Sequence, residues 1–254
     1  MKIKKQQYVG IRCITSAPLL AGLLFTLSLI GCANNSATRI DARDNSVAIG
    51  EMRMAYNFDN IKEAATPHTG HAVVLGVTKT SGKANQSLAA GQSPIIHGDK
   101  TFTAPQQLQN EFELTQRELS WRYRKFRSNE GKPGVWGLEL SAGLGNTLLD
   151  LKVSTATQVA TKNIERYGAL AGVGLLYNLS PVSSFQAKFS VYYAPLAYGI
   201  NDIERLDLVY ARSFHDNLRL RAGYSFWHLT GNNSSESGFK LEFSGPVLAL
   251  DLEF

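Results

Sequence analysis

From about residue 46 to residue 254, apolar side chains recur at every second position over long runs. Met52, Met54, Tyr56 and Phe58 alternate with Glu51, Arg53, Ala55 and Asn57. Phe185, Ala187, Phe189, Val191 and Tyr193 alternate with Gln186, Lys188, Ser190 and Tyr192. Leu218, Leu220, Ala222, Tyr224 and Phe226 alternate with Arg219, Arg221, Gly223, Ser225 and Trp227. A period of two puts successive side chains on opposite faces of an extended chain; a helix needs spacings of three and four. The chain therefore reads as all-β.

Strands are expected near 46–58, 71–79, 110–127, 134–153, 166–178, 184–194, 203–213, 217–229 and 239–254. Soluble strands average about 5–6 residues, whereas a tilted strand crossing a bilayer needs about 9–11. Most of these segments reach that length. Short links at 128–133, 179–183 and 214–217 alternate with longer polar ones at 80–109, 154–165, 195–202 and 230–238. Together these features predict an antiparallel, up-and-down transmembrane β-barrel. Counting back from a C-terminus on the short-link side, parity predicts eight strands, with either 46–58 or 71–79 outside the ring. A strand at 92–103 would make ten.

Alternation alone does not say which face is inside. Glycines on the polar parity, at 143, 145, 168, 172 and 174, suggest a narrow interior where Arg122, Glu139, Arg205, Asp207, Arg219 and Arg221 pair. Aromatic residues flank the short links: Trp121, Tyr123, Trp136, Tyr177, Phe185 and Phe214. That is the placement of an interfacial girdle.

The first 31 residues differ in kind. Lys2, Lys4, Lys5 and Arg12 precede an apolar run from Ile14 to Ile30. The run is long enough for the apolar part of a signal peptide and short for a spanning helix. It ends Leu29-Ile30-Gly31-Cys32, which resembles the lipobox of bacterial lipoproteins. The resemblance implies cleavage after residue 31, acylation of Cys32 and, with Ala33 rather than Asp following, passage to the outer membrane. Residues 32–46 read as a polar tether, and 47–254 as the barrel with long outward loops.

Composition narrows the alternatives. The net charge of +5 falls to +1 once the four leader cations are removed, so no nucleic-acid partner is expected. The only cysteines are Cys13 and Cys32, so the body carries no disulfide, cysteine metal site or thiol nucleophile. No cofactor or metal is expected.

The final residues alternate Leu248, Leu250, Leu252 and Phe254 with Ala249, Asp251 and Glu253. They resemble the C-terminal assembly signal of outer-membrane proteins, and the resemblance implies the assembly machinery and outer-membrane lipid as partners. Phe239, Leu241 and Phe243 hold the opposite phase, and a bulge at Gly245-Pro246 is expected between the two sets. Residues 110–254 are similar to the small OmpA-like and opacity-like barrels. The resemblance implies a non-enzymatic surface or envelope-integrity role.

Two other readings compete. Lipid A deacylase barrels place a His-x-Ser pair and a carboxylate near the outer end of a late strand. Here His228 and Thr230, with Glu236 and Glu242, resemble that set, with threonine in place of serine. The plainer reading of His228 is a rim residue at the headgroups. A soluble, lipid-anchored barrel binding an apolar ligand would also show period two. His68 and His71 form a loop H-x-x-H without nearby carboxylates, and His97 and His215 read as solvated loop residues.

Overall fold

A computed structural model describes residues 39–58, 69–127, 132–194, 199–232 and 236–254. Within them lie twelve strands and no helix. β1 is Ile40–Ser46, β2 Ile49–Asn57, β3 Gly70–Leu88, β4 Ile95–His97, β5 Lys100–Phe102 and β6 Gln106–Phe126. β7 is Val135–Ser154, β8 Val159–Ser180, β9 Ser183–Tyr193, β10 Gly199–His215, β11 Leu218–Asn232 and β12 Phe239–Glu253. The leader and Cys32 lie outside the described residues, as does His68.

Ten strands form one sheet in the order β1-β12-β11-β10-β9-β8-β7-β6-β3-β2, and β4 and β5 make a separate hairpin. The expected count of eight is not met. β1 pairs with Phe239–Ser244 of β12 and β2 with Val247–Glu253 of the same strand, both parallel. β2 also pairs antiparallel with β3, so the strands close into a ring. Because β1 and β2 share one neighbour, they occupy one position, and the ring has nine positions. Eight rested on the two chain ends meeting antiparallel. The parallel closure removes that constraint, so both 46–58 and 71–79 belong to the ring. The ten-strand alternative fails for another reason: 95–102 folds as the β4–β5 hairpin outside the sheet. Residues 40–46, expected within the tether, are β1.

The junction of β1 and β2 explains Gly245-Pro246. β11 and β12 stay in continuous register through these residues, so no bulge separates the two phases. A Cβ on Gly245 would lie 1.7 Å from the Val47 carbonyl oxygen, so only glycine lets the chain pass there. Pro246 sits where β1 pairing has ended at Ser244 and β2 pairing starts at Val247, so its missing N–H leaves no partner unpaired on that side.

The change of phase is a change of environment. Inward side chains near the short links are charged: Arg122 and Arg124 on β6, Glu139 on β7, Arg219 and Arg221 on β11. Further along the same strands the inward parity becomes apolar: Leu108, Phe112 and Leu114, then Leu149, Leu151 and Val153, then Trp227 and Leu229. The outward parity does the reverse. On β6, Leu119 and Trp121 are exposed near the short links, and Gln107, Gln109 and Glu113 are exposed at the far end. The ring therefore has a belt, apolar outside and charged inside, that continues into a sleeve, polar outside and apolar inside. Segments 80–88, 106–109 and 159–165, expected as loops, are the sleeve wall.

The β4–β5 hairpin packs Ile95 and Phe102, both fully buried, into the sleeve core. The free edge of β1 is met by side chains. Gln86 donates to the Arg39 carbonyl at 2.7 Å and accepts from the Asp41 N–H at 3.0 Å. Asn110 donates to the Asp41 carbonyl at 3.0 Å.

Candidate functional site: the belt, its interior and its rim

Polar parity and register together build the belt interior. Arg221, Ala249 and Glu51 lie side by side on β11, β12 and β2. The small Ala249 lets the outer two meet, with Arg221 Nη2 3.3 Å from Glu51 Oε2. Glu51 also holds Arg205 at 2.9 Å and Arg53 at 2.5 Å. Arg205 is further fixed by Asp207, and Arg221 by Asp251, each at 2.8 Å. Nearer the short links, Glu139 binds Arg124 at 2.7 Å and Lys188 at 3.2 Å. Glu253 lies 3.5 Å from Arg122 and from Arg124, and 3.7 Å from Arg219. With Glu118 near Arg53, these pairs join seven cations and six anions, so the interior charge nearly cancels.

The glycines serve this interior only in part. Gly76 makes room for Glu118, and Gly174 lies beside Glu139 and Lys188. Gly145 and Gly168 instead seat the ring of Tyr192, and Gly137 that of Phe126. Arg205 marks the top of the charged layer, with its guanidinium 4.7 Å from the centre of the Trp227 ring. Trp227 stacks on Phe243, where the apolar sleeve core begins.

Outward, Phe189 and Leu208 are exposed and Leu220 is half-buried on the same parity. Trp136 and Tyr177 meet at 4.5 Å near the short links, and His71 stacks on Tyr123 at 4.6 Å. Leu248 is exposed and Leu250 and Leu252 are half-buried on the outward face of β12. Phe254 donates its N–H to the Ala55 carbonyl at 2.8 Å and accepts from the Asn57 N–H at 2.8 Å, while its ring stays exposed.

His228 sits where the belt meets the sleeve. Register sets Glu204, His228 and Glu242 in one row across β10, β11 and β12. Nδ1 of His228 is 3.5 Å from Glu204 and Nε2 is 3.9 Å from Glu242. The row borders a groove of about 350 Å³ with Phe189, Leu206 and Phe226 along it. Lys240 lies 2.7 Å from the half-buried Glu242 carboxylate.

The other expected members lie elsewhere. Thr230 hydrogen-bonds Asp202. Glu236 binds Lys162 at 2.8 Å and the N–H of Gly98 at 3.4 Å, so it clamps the hairpin. The structure thus brings Glu242 to His228, adds Glu204, and engages Thr230 with a different acid. The hydrogen bond described for the Thr230 hydroxyl goes to Asp202 and not to His228. Among the described residues no cluster of His, Cys, Asp or Glu is arranged to hold a metal ion.

His97, expected in solvent, ends β4 and is buried on the inner face of the hairpin, with Nε2 2.9 Å from the Leu151 carbonyl. Burial pushes its pKa below the usual value of 6.5, outweighing that hydrogen bond. The docked hairpin therefore favours the neutral ring. Docking should be intact above the ordinary histidine range and weaken as pH falls through it. Protection factors of amides 95–102, corrected for intrinsic exchange, should fall as pH drops from about 7.5 to about 5, and His97→Gln should abolish that fall. Protection unchanged across this range in the parent chain would refute the assignment.

No family model matches this chain, and neither the curated proteins nor the solved structures contain a match.

Proposed function

We propose that this protein is a lipid-anchored outer-membrane β-barrel, non-enzymatic, that acts through the surface of its sleeve. The observation that carries the reading is the inverted polarity of the belt. An apolar exterior around a charged interior is unfavourable in water and suits a bilayer. A soluble barrel needs its apolar face inside, as only the sleeve has it. In a bilayer every backbone polar group needs an internal partner, which a closed ring supplies. The paired charges and the apolar sleeve core fill the interior, which argues against a wide water-filled pore. Charged groups removed from water are tolerable there because each has partners.

The aromatic residues near the short links and the His228 row near the sleeve mark the two rims of the belt. At the second rim a histidine between two carboxylates suits the headgroup region. His228→Ala should leave lipid A composition unchanged.

Fractionation and extraction test the membrane reading. The protein should stay in the outer-membrane pellet through urea and carbonate washes, and its gel mobility should shift on boiling. Leu208→Arg should cost about 2–4 kcal/mol of stability in lipid if the position lies near the bilayer midplane. Release of the parent protein by urea, or tolerance of the substitution, would overturn the assignment.

A further inference from the structure

An odd ring has a consequence for sidedness. Each antiparallel crossing carries the chain to the opposite end of the ring. With an even number of crossings, both chain ends lie at one end, as in bacterial single-chain barrels. Here the joint β1–β2 position, β3 and β6 to β12 make nine crossings.

The register fixes which end is which. Ile40 pairs with Phe239 at the sleeve end of β12. Phe254 bonds Ala55 at the belt end, beside the turn at 216–217, where Asn217 accepts the N–H of Glu253. The chain therefore enters through the sleeve and leaves through the belt.

We infer that the entry of the described chain at Arg39 and the sleeve share one side of the membrane, opposite the 216–217 turn and Phe254. The inference rests on the outer-membrane reading above. With the sleeve outward, Arg39 lies on the outer side of the membrane and Phe254 on the inner side.

The entry strand is built to stay at that end. Ile40 and Ala42 are fully buried in the sleeve core, and Gln86 and Asn110 satisfy the free edge of β1. Drawing residue 39 through to the belt end would strip these contacts and open the closure with β12.

Single-cysteine labelling reads the sidedness directly, because no cysteine follows Cys32 in the sequence. Arg39→Cys, Ser93→Cys and Asp216→Cys each replace an exposed residue, at the entry, in the link before the hairpin and in the belt-end turn. Cells making each variant are treated with a membrane-impermeant maleimide, intact or permeabilised. Positions 39 and 93 should label on intact cells, and position 216 only after permeabilisation, with at least a tenfold difference. If 39 follows 216 instead of 93, the inference is overturned. If 216 alone labels on intact cells, the shared side stands and the outward sleeve falls. If none of the three shows sidedness, the membrane reading falls, and this inference with it.

Discussion

Glu51→Ala is expected to destabilise the ring by about 3–5 kcal/mol, the range for stripping one partner from a buried ion pair. Three guanidiniums converge on this carboxylate, from Arg53, Arg205 and Arg221. Asp207 and Asp251 keep Arg205 and Arg221 partly paired in the variant, while Arg53 retains only the longer 3.7 Å contact to Glu118. Glu51→Gln, which keeps an acceptor oxygen, should lose less. Adding Arg53→Ala to Glu51→Ala should recover part of the loss, because it removes the worst stranded charge. A control at the exposed Glu113 on the sleeve should change stability by no more than about 0.5 kcal/mol. Urea unfolding in detergent or lipid, read by gel mobility, measures all four. A loss below about 1 kcal/mol for Glu51→Ala would mean that water solvates these charges and the interior is open.

This network also shows what the sequence makes legible. The parity of Arg205, Asp207, Arg219 and Arg221 marks them as one shared face, the glycines on the polar parity point to that face as the interior, and the four do face inward. Their partners are not legible, because a one-residue change of register would exchange them. Glu51 reads as one more polar position on the first strand until parallel closure sets it beside Ala249 and Arg221. Glu204 gives no sign of its place beside His228 for the same reason: its neighbour is set by cross-strand register.

The sleeve misleads for a different reason. Periodicity reads an apolar–polar alternation but assumes one environment along a strand. On β6 the inward–outward alternation runs unbroken from Gln107 to Trp121 while the environment on its two faces changes. Leu108, Phe112 and Leu114 occupy the parity that Arg122 and Arg124 occupy lower down. Where that exchange occurs the pattern looks interrupted, so wall is taken for loop. The phase change on β12 looks like an inserted residue for the same reason, although the register with β11 never slips. His97 gives no sequence signal at all. A histidine in a polar link reads as solvated until the hairpin that contains it docks on the sleeve core.

Gly245→Val should abolish closure of the ring. At this residue β12 exchanges β1 for β2, and the chain crosses it at Val47. A Cβ would sit 1.7 Å from the Val47 oxygen, 2.7 Å from its carbonyl carbon and 3.0 Å from its nitrogen. These are backbone atoms, so no side-chain rotation relieves the clash. The junction must move, and the Val47 N–H bond to the Ser244 carbonyl, 3.1 Å long, goes with it. Overpacking a core by ordinary side-chain crowding costs about 1–3 kcal/mol. A backbone collision at the closing seam should cost more, because it also unpairs the edges of β12 and β2. In a bilayer an unpaired edge leaves N–H and C=O groups without water. The folded, heat-modifiable form of Gly245→Val should therefore be nearly absent, with the chain degraded or aggregated. Gly245→Ala carries the same first clash and should be severely reduced. Pro246→Ala supplies the control: its position is exposed and unpaired toward β1 and β2, so it should assemble normally. Normal assembly of Gly245→Val would show that β1 and β2 do not both pair with β12. The ring would then not be nine positions round, and the opposite placement of the two chain ends would lose its basis.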